Sequence, residues 1–220
     1  MNKNLRGLAA AVGLLGAVAF AGTANAGPIG VSNANVTIWH YTNAGGNIAD
    51  PCEQALATNP CAVAGNQVYS GLYSGLINFT NPAANTIVDF LNTAGGTFVG
   101  SVAGLTQQLS SGGFAVSTLM NFKFSVGAES FGSIFHDDGI SIYDATNTSL
   151  LIDSSFPTVV TSTAFHLLPG TYSLWYSEVN GLPAQLTMNV ERTISQVPEP
   201  ASLALLAIGL IGLGVSRRKQ

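Results

Sequence analysis

Between residues 116 and 190, apolar and polar side chains alternate in short runs. Met120, Phe122, Phe124 and Val126 alternate with Asn121, Lys123 and Ser125, which puts four apolar side chains on one face of an extended strand. Ile140 and Ile142 repeat the period after Asp137-Asp138-Gly139, and a turn at Thr146-Asn147-Thr148 leads into Leu150-Leu151-Ile152. Phe165 and Leu167 precede a Pro169-Gly170 turn, beyond which Tyr172, Leu174 and Tyr176 share one face and Ser173, Trp175 and Ser177 the other. A last strand directs Leu186, Met188 and Val190 inward and Gln185, Thr187 and Asn189 outward. Short strands at this spacing, with turn chemistry between them, predict an all-β fold: an antiparallel β-sandwich, jelly-roll-like.

The front half is less regular. Val36-Thr37-Ile38-Trp39-His40-Tyr41 reads as a first strand, preceded by a small, polar and loose stretch from Gly27 to Asn35. Asn, Gly and Pro mark a long loop from Asn43 to Asn66. Leu76-Ile77-Asn78-Phe79 reads as a short strand. One or two helical turns follow, capped by Asn85, running through Ile87, Val88, Phe90 and Leu91 and stopped by Gly95-Gly96. No repeat of fixed period is visible, which argues against a solenoid or propeller.

The two ends carry a different pattern. Lys3 and Arg6 precede an apolar run from Leu8 to Ala21 and a small-residue A-x-A site, the layout of a signal peptide cleaved after Ala26. A permanent membrane anchor is the alternative, but that run is short for a span. At the other end, Val197-Pro198-Glu199-Pro200 is followed by apolar residues 201–215 and then Arg217-Arg218-Lys219. Such a segment enters the inner membrane as a short helix, with its cations held on the cytoplasmic side. In motif, order and distance from the end this tail resembles the PEP-CTERM sorting signal of Gram-negative bacteria, with Pro198, Glu199 and Pro200 as the motif. The resemblance implies recognition and cleavage by a membrane-embedded exosortase after export, with delivery to the cell surface or outside. A single-pass anchor is the alternative. The chain therefore divides into a signal peptide (1–26), a β-sandwich domain (27–196) and a sorting signal (197–220).

Charge changes the picture of that middle domain. Of seven basic residues only Lys123 and Arg192 lie within it, and of eleven acidic residues only Glu199 lies outside. Ten acids against two bases give 2 − 10 = −8. Such a surface repels phosphate backbones and argues against nucleic acid as a partner, while suiting divalent cations. Cys52 and Cys61, brought by export into an oxidising compartment, predict a disulfide closing a short loop.

The most suggestive chemistry is His136-Asp137-Asp138-Gly139, at the start of a strand. Two carboxylates are hard oxygen ligands of the kind calcium takes. Neighbouring side chains on an ordinary strand point to opposite faces, so convergence on one ion calls for an unusual backbone, such as a cis peptide between Asp137 and Asp138. The plain alternative is an Asp-Gly turn with one extra solvating aspartate.

The run Phe135-His136-Asp137-Asp138-Gly139-Ile140-Ser141-Ile142-Tyr143-Asp144, followed by Leu168-Pro169-Gly170-Thr171-Tyr172-Ser173-Leu174-Trp175-Tyr176-Ser177-Glu178, is similar to two signatures of the protective-antigen-type β-sandwich family. The resemblance covers roughly Phe122 to Val190. It implies that Asp137 and Asp138 hold calcium, that the ion coordinates glycan hydroxyls, and that a later loop adds ligands, here at Glu178 and Asn180. Glu178 departs from that family, which carries asparagine at its position.

Other residues point less sharply. Trp175 stacks a sugar ring or packs under a loop. His40, His136 and His166 lack metal-motif spacing, and Asp144 and Asp153 read as solvated turn residues. No G-x-S-x-G, H-E-x-x-H or G-x-G-x-x-G run occurs. The expectation is a non-enzymatic surface or matrix protein that binds calcium and, through it, extracellular polysaccharide. The rivals are a structural envelope or biofilm-matrix protein without a ligand site, and an extracellular hydrolase.

Overall fold

The computed structural model describes residues 27–43, 45–81 and 86–194. They contain strands β1 (Gly27–Pro28), β2 (Gly30–Thr42), β3 (Gln67–Leu76) and β4 (Asn78–Asn81) and one short helix, α1 (Ile87–Asn92). β5 (Thr97–Val99), β6 (Val116–Val126), β7 (Glu129–Asp137) and β8 (Ile140–Asp144) follow. β9 (Leu150–Ser154), β10 (Thr161–Leu167), β11 (Gly170–Glu178) and β12 (Ala184–Ile194) complete the order. The strands form two antiparallel sheets: β1-β12-β7-β10 with β4 also on β12, and β5-β3-β2-β6-β11-β8-β9. Among the described residues no helix is long and apolar enough to cross a membrane. The expected signal peptide, the sorting helix over residues 201–215 and the expected cap Asn85 lie outside the described residues.

The alternation in the back half does what its period predicts. Phe122, Phe124, Leu174 and Tyr176 from the larger sheet meet Ile134, Leu186 and Met188 from the smaller one in a single core. Phe79 on β4 lies on Phe122 of the opposite sheet, with ring centroids 5.5 Å apart. Helix α1 closes one end of this core. Ile87, Phe90 and Leu91 are buried at helical spacing, and Thr86 caps the helix by accepting the Asp89 N–H. Phe90 stacks on Tyr176 at 5.7 Å.

Three segments differ from the sequence reading. Gly27 to Asn35 is strand rather than loose chain: Gly27 and Pro28 pair with β12, and Gly30 and Val31 pair with β3. A register shift between Val31 and Ala34, with Asn33 in the left-handed region (φ 52), breaks the alternation that would have marked it. β3 was hidden by its glycines. A Cβ on Gly71 would lie 2.3 Å from the Val99 carbonyl oxygen and 2.5 Å from the Tyr69 hydroxyl, so only glycine fits beneath the neighbouring ring. β7 was hidden because its inward face reads Ser130, Gly132, Ile134 and His136 while Phe135 faces out. A Cβ on Gly132 would stand 1.9 Å from the Asn189 oxygen of β12.

The expected disulfide is formed between Cys52 and Cys61, with Cα atoms 5.3 Å apart. Its loop packs on the outer face of the larger sheet over Tyr41, Leu119, Tyr143 and Trp175. Trp175 is accordingly a packing residue. It is buried, stacks on Trp39 at 5.4 Å and donates its indole N–H to Asn147.

Candidate cation and ligand site at the sandwich rim

The chain passes from one sheet to the other at Asp137-Asp138-Gly139. Asp137, the last residue of β7, pairs with Gln185 in the smaller sheet, and Ile140, the first of β8, pairs with Tyr176 in the larger. The two acids therefore sit at the end of one strand and in the crossing, not at the start of a strand. The Asp137–Asp138 peptide is cis. Gly139 admits no side chain, since a Cβ there would lie 2.3 Å from the Ser155 oxygen.

Each acid has a separate set of partners. One oxygen of Asp138 accepts the N–H groups of Val179 (2.9 Å) and Asn180 (3.2 Å), and the other accepts that of Thr158 (3.2 Å). Its carboxylate thus ties the 155–160 loop to the loop after β11. Burial raises its pKa, opposed by these three N–H groups. Asp137 is pushed up to about 6 by burial and by Asp138, and is held down in part by the Val160 N–H. Among the described residues neither pairs with a cationic side chain. The one ion pair among the described residues joins His166 and Glu129, elsewhere on the surface.

Behind the acids lies a buried hydrogen-bonded layer. The Tyr176 hydroxyl is 2.5 Å from the Asp137 carbonyl oxygen and 2.8 Å from Glu178 Oε2, while Ser110 donates to Glu178 Oε1 at 2.8 Å. A carbonyl can only accept, so the single phenolic proton goes to Asp137. Glu178 then donates to the phenol oxygen and is the neutral acid. Burial, together with the charge of Asp138, pushes its pKa in the same direction, well above the ordinary value. His136 is arranged by the same logic. Nδ1 must donate to the Asp138 carbonyl, so Nε2 accepts from Thr163 at 2.8 Å, and burial lowers its pKa to keep the ring neutral.

A cavity of about 480 Å³ opens in front of Asp137 and Asp138, between Thr158 and Val159 on one side and Asn180 and Leu182 on the other. Of the four sequence-predicted ligands, Asp137, Asp138 and Asn180 line it. Glu178 does not: it is fully buried behind the wall with both oxygens engaged. The Asn180 side-chain oxygen accepts the Gly113 N–H at 3.2 Å, and its backbone N–H serves Asp138. No group of three or more His, Cys, Asp or Glu side chains suited to a metal occurs among the described residues. The donor set is two carboxylates with a surrounding of amide and hydroxyl oxygens, all hard and none cationic, which fits a calcium-like ion in chemistry. Ser110 and Thr158, which help hold the acids in place, carry no local motif, and Tyr176 reads in the chain only as an inward strand residue within the second signature. Only the fold brings them there.

Residues 196–219 match the PEP-CTERM protein-sorting motif. The chain is accordingly an exported protein, transiently anchored in the membrane before exosortase processing, built around an antiparallel β-sandwich. No curated protein sequence matches it. Among solved structures it is similar to a PA14 sugar-binding domain from an RTX adhesin, at 12% identity and TM-score 0.42, covering 72% of this chain and 88% of that one. It is also similar to the PA14 domain of the MpAFP antifreeze protein, at 10% identity and TM-score 0.43, covering 73% of this chain and 80% of that one. A GH31 alpha-xylosidase from Xanthomonas citri shares 9% identity at TM-score 0.37, covering 80% of this chain but 16% of the enzyme.

Proposed function

We propose that this exported protein is a non-enzymatic surface binder whose rim site takes a divalent cation, calcium by its oxygen chemistry, and with it the hydroxyls of an extracellular polysaccharide. The observation that carries this reading is the convergence of Asp137 and Asp138 on one cavity, with no positive side chain paired to either among the described residues. Two such carboxylates repel one another, and a bound cation relieves that repulsion while leaving coordination positions open to sugar hydroxyls. Asp137 and Asp138 are the protein ligands, and the cavity oxygens around Asn180 complete the surroundings. The neutral acid Glu178 and Tyr176 fix the Asp137 carbonyl from behind and so set where its side chain starts.

The test is calcium-dependent thermal stabilisation of the full chain in detergent, followed by glycan-array binding with and without chelator. Stabilisation in the parent that disappears in Asp137→Ala and Asp138→Ala, with chelator-sensitive glycan binding, is the expected result. A parent melting temperature indifferent to calcium overturns the cation step; chelator-resistant glycan binding overturns the link between ion and sugar.

One observation favours a second reading. The three N–H groups received by Asp138 satisfy its carboxylate without any ion. On that reading the acid is a latch between two loops, in a structural envelope or matrix protein.

A further inference from the structure

The larger sheet has a second concavity at the end remote from the rim. The rim lies where Glu178 pairs with Thr118; the other end of the same two strands lies where Gly170 pairs with Val126. A groove of about 510 Å³ opens there, walled by Ser32, Asn33 and Asn35 of β2 and by Lys123, Ser125 and Thr171. The bulge between Val31 and Ala34 builds the wall, and the Asn33 N–H donates to the Ser74 hydroxyl at 2.9 Å to hold it. Ser125 and Thr171 bond to one another across the strands at 2.9 Å.

Lys123 stands out in this setting. The described residues hold ten acids and two bases. The other base, Arg192, lies over the Phe131 ring at 4.4 Å. Among the described residues no carboxylate pairs with Lys123 and no hydrogen bond engages its ammonium, although acids outnumber it heavily. A solitary cation among hydroxyls and amides, with Val31 and Phe124 also at the groove wall, matches a saccharide with many hydroxyls, apolar ring faces and few, well-spaced negative charges. A densely charged phosphate polymer is disfavoured by the acidic remainder of the domain.

We propose that this groove is a second, metal-independent binding site for a carboxylate-bearing saccharide, a uronate, with Lys123 taking the carboxylate and Asn35 and its neighbours the hydroxyls. The site stands apart from the rim and does not rest on the rim reading. The test titrates the full chain in detergent with a galacto-oligosaccharide carrying a single terminal galacturonate and with its neutral galactose counterpart, in chelator so that any rim cation is removed. The expected result is binding of the uronate, weakened about tenfold by Lys123→Gln (about 1.4 kcal/mol), retained in Lys123→Arg and unchanged in Asp137→Ala. Equal affinity for the neutral oligosaccharide, or indifference to Lys123→Gln, overturns it. So does phosphatidylglycerol-vesicle binding that is lost in Lys123→Gln while the parent binds no uronate, which would mark a lipid-facing cation instead.

Discussion

Replacing Asp138 by alanine in metal-free protein separates its two roles. The substitution strips the acceptor from three N–H groups: Val179, which is buried, and Asn180 and Thr158, which are partly so. An orphaned buried donor costs about 1–3 kcal/mol, and one that water can reach costs less, so a net loss of about 2–5 kcal/mol follows once the relief of desolvating a carboxylate is set against it. For a domain of this size that lowers the melting temperature by roughly 5–15 °C. Asp137→Ala removes an acid that receives one N–H and is repelled by its neighbour, so it costs about 1 kcal/mol or less. The assay is thermal unfolding of parent and both variants in chelator, then in calcium. If the rim binds calcium as proposed, the ion at about one hundred times its dissociation constant stabilises the parent by about 2.7 kcal/mol, and neither variant responds. If Asp138→Ala melts with the parent in chelator, the latch argument is wrong.

Two further predictions rest on neighbouring features. In chelator, a carboxyl whose folded pKa lies above its unfolded value near 4 favours the folded state in its protonated form. That contribution is full below about 4 and is lost as pH rises through the Asp137 value of about 6. Because burial lowers His136 and His40 in the opposite sense, the quantity to follow is the parent's melting temperature minus that of Asp137→Asn. It falls between pH 4 and pH 7, and a rise across that interval refutes the assignment. Replacing Cys52 and Cys61 by serine opens a loop closed nine residues apart and lowers stability by about 2–3 kcal/mol in the chain-entropy picture, measured by denaturant titration. A shift under about 0.5 kcal/mol would show that Tyr41, Ala55 and Trp175 hold the loop without the crosslink.

How much of this was legible in the sequence follows from which side chains pack in the usual way. β6, β11 and β12 bury large apolar residues at every second position, so their period was plain. β3 and β7 bury glycines and polar residues beneath neighbouring rings and carbonyls, a pattern that reads as loop until the partner strand is known. At the rim, Asp137 and Asp138 were visible as an unusual acid pair. The proton held between Glu178 and Tyr176 was not, because it depends on a serine 68 residues away and a carbonyl 39 residues away. Glu178 reads as a ligand in the chain and lies behind the cavity wall in the fold.

Strand β12 begins beside the acids, where Gln185 pairs with Asp137, and ends at Ile194, just before the matched sorting motif. Along its length it is bonded to β7 on one side and to β4 and β1 on the other. A pull between a captured polymer at the rim and an attachment beyond Ile194 would therefore load this strand lengthwise. Hydrogen bonds loaded that way share the force and must break together, whereas bonds peeled from a strand end fail one by one. If the proposed polymer binding holds and the processed end is attached, the strand ladder of β12 would carry such a load as a unit.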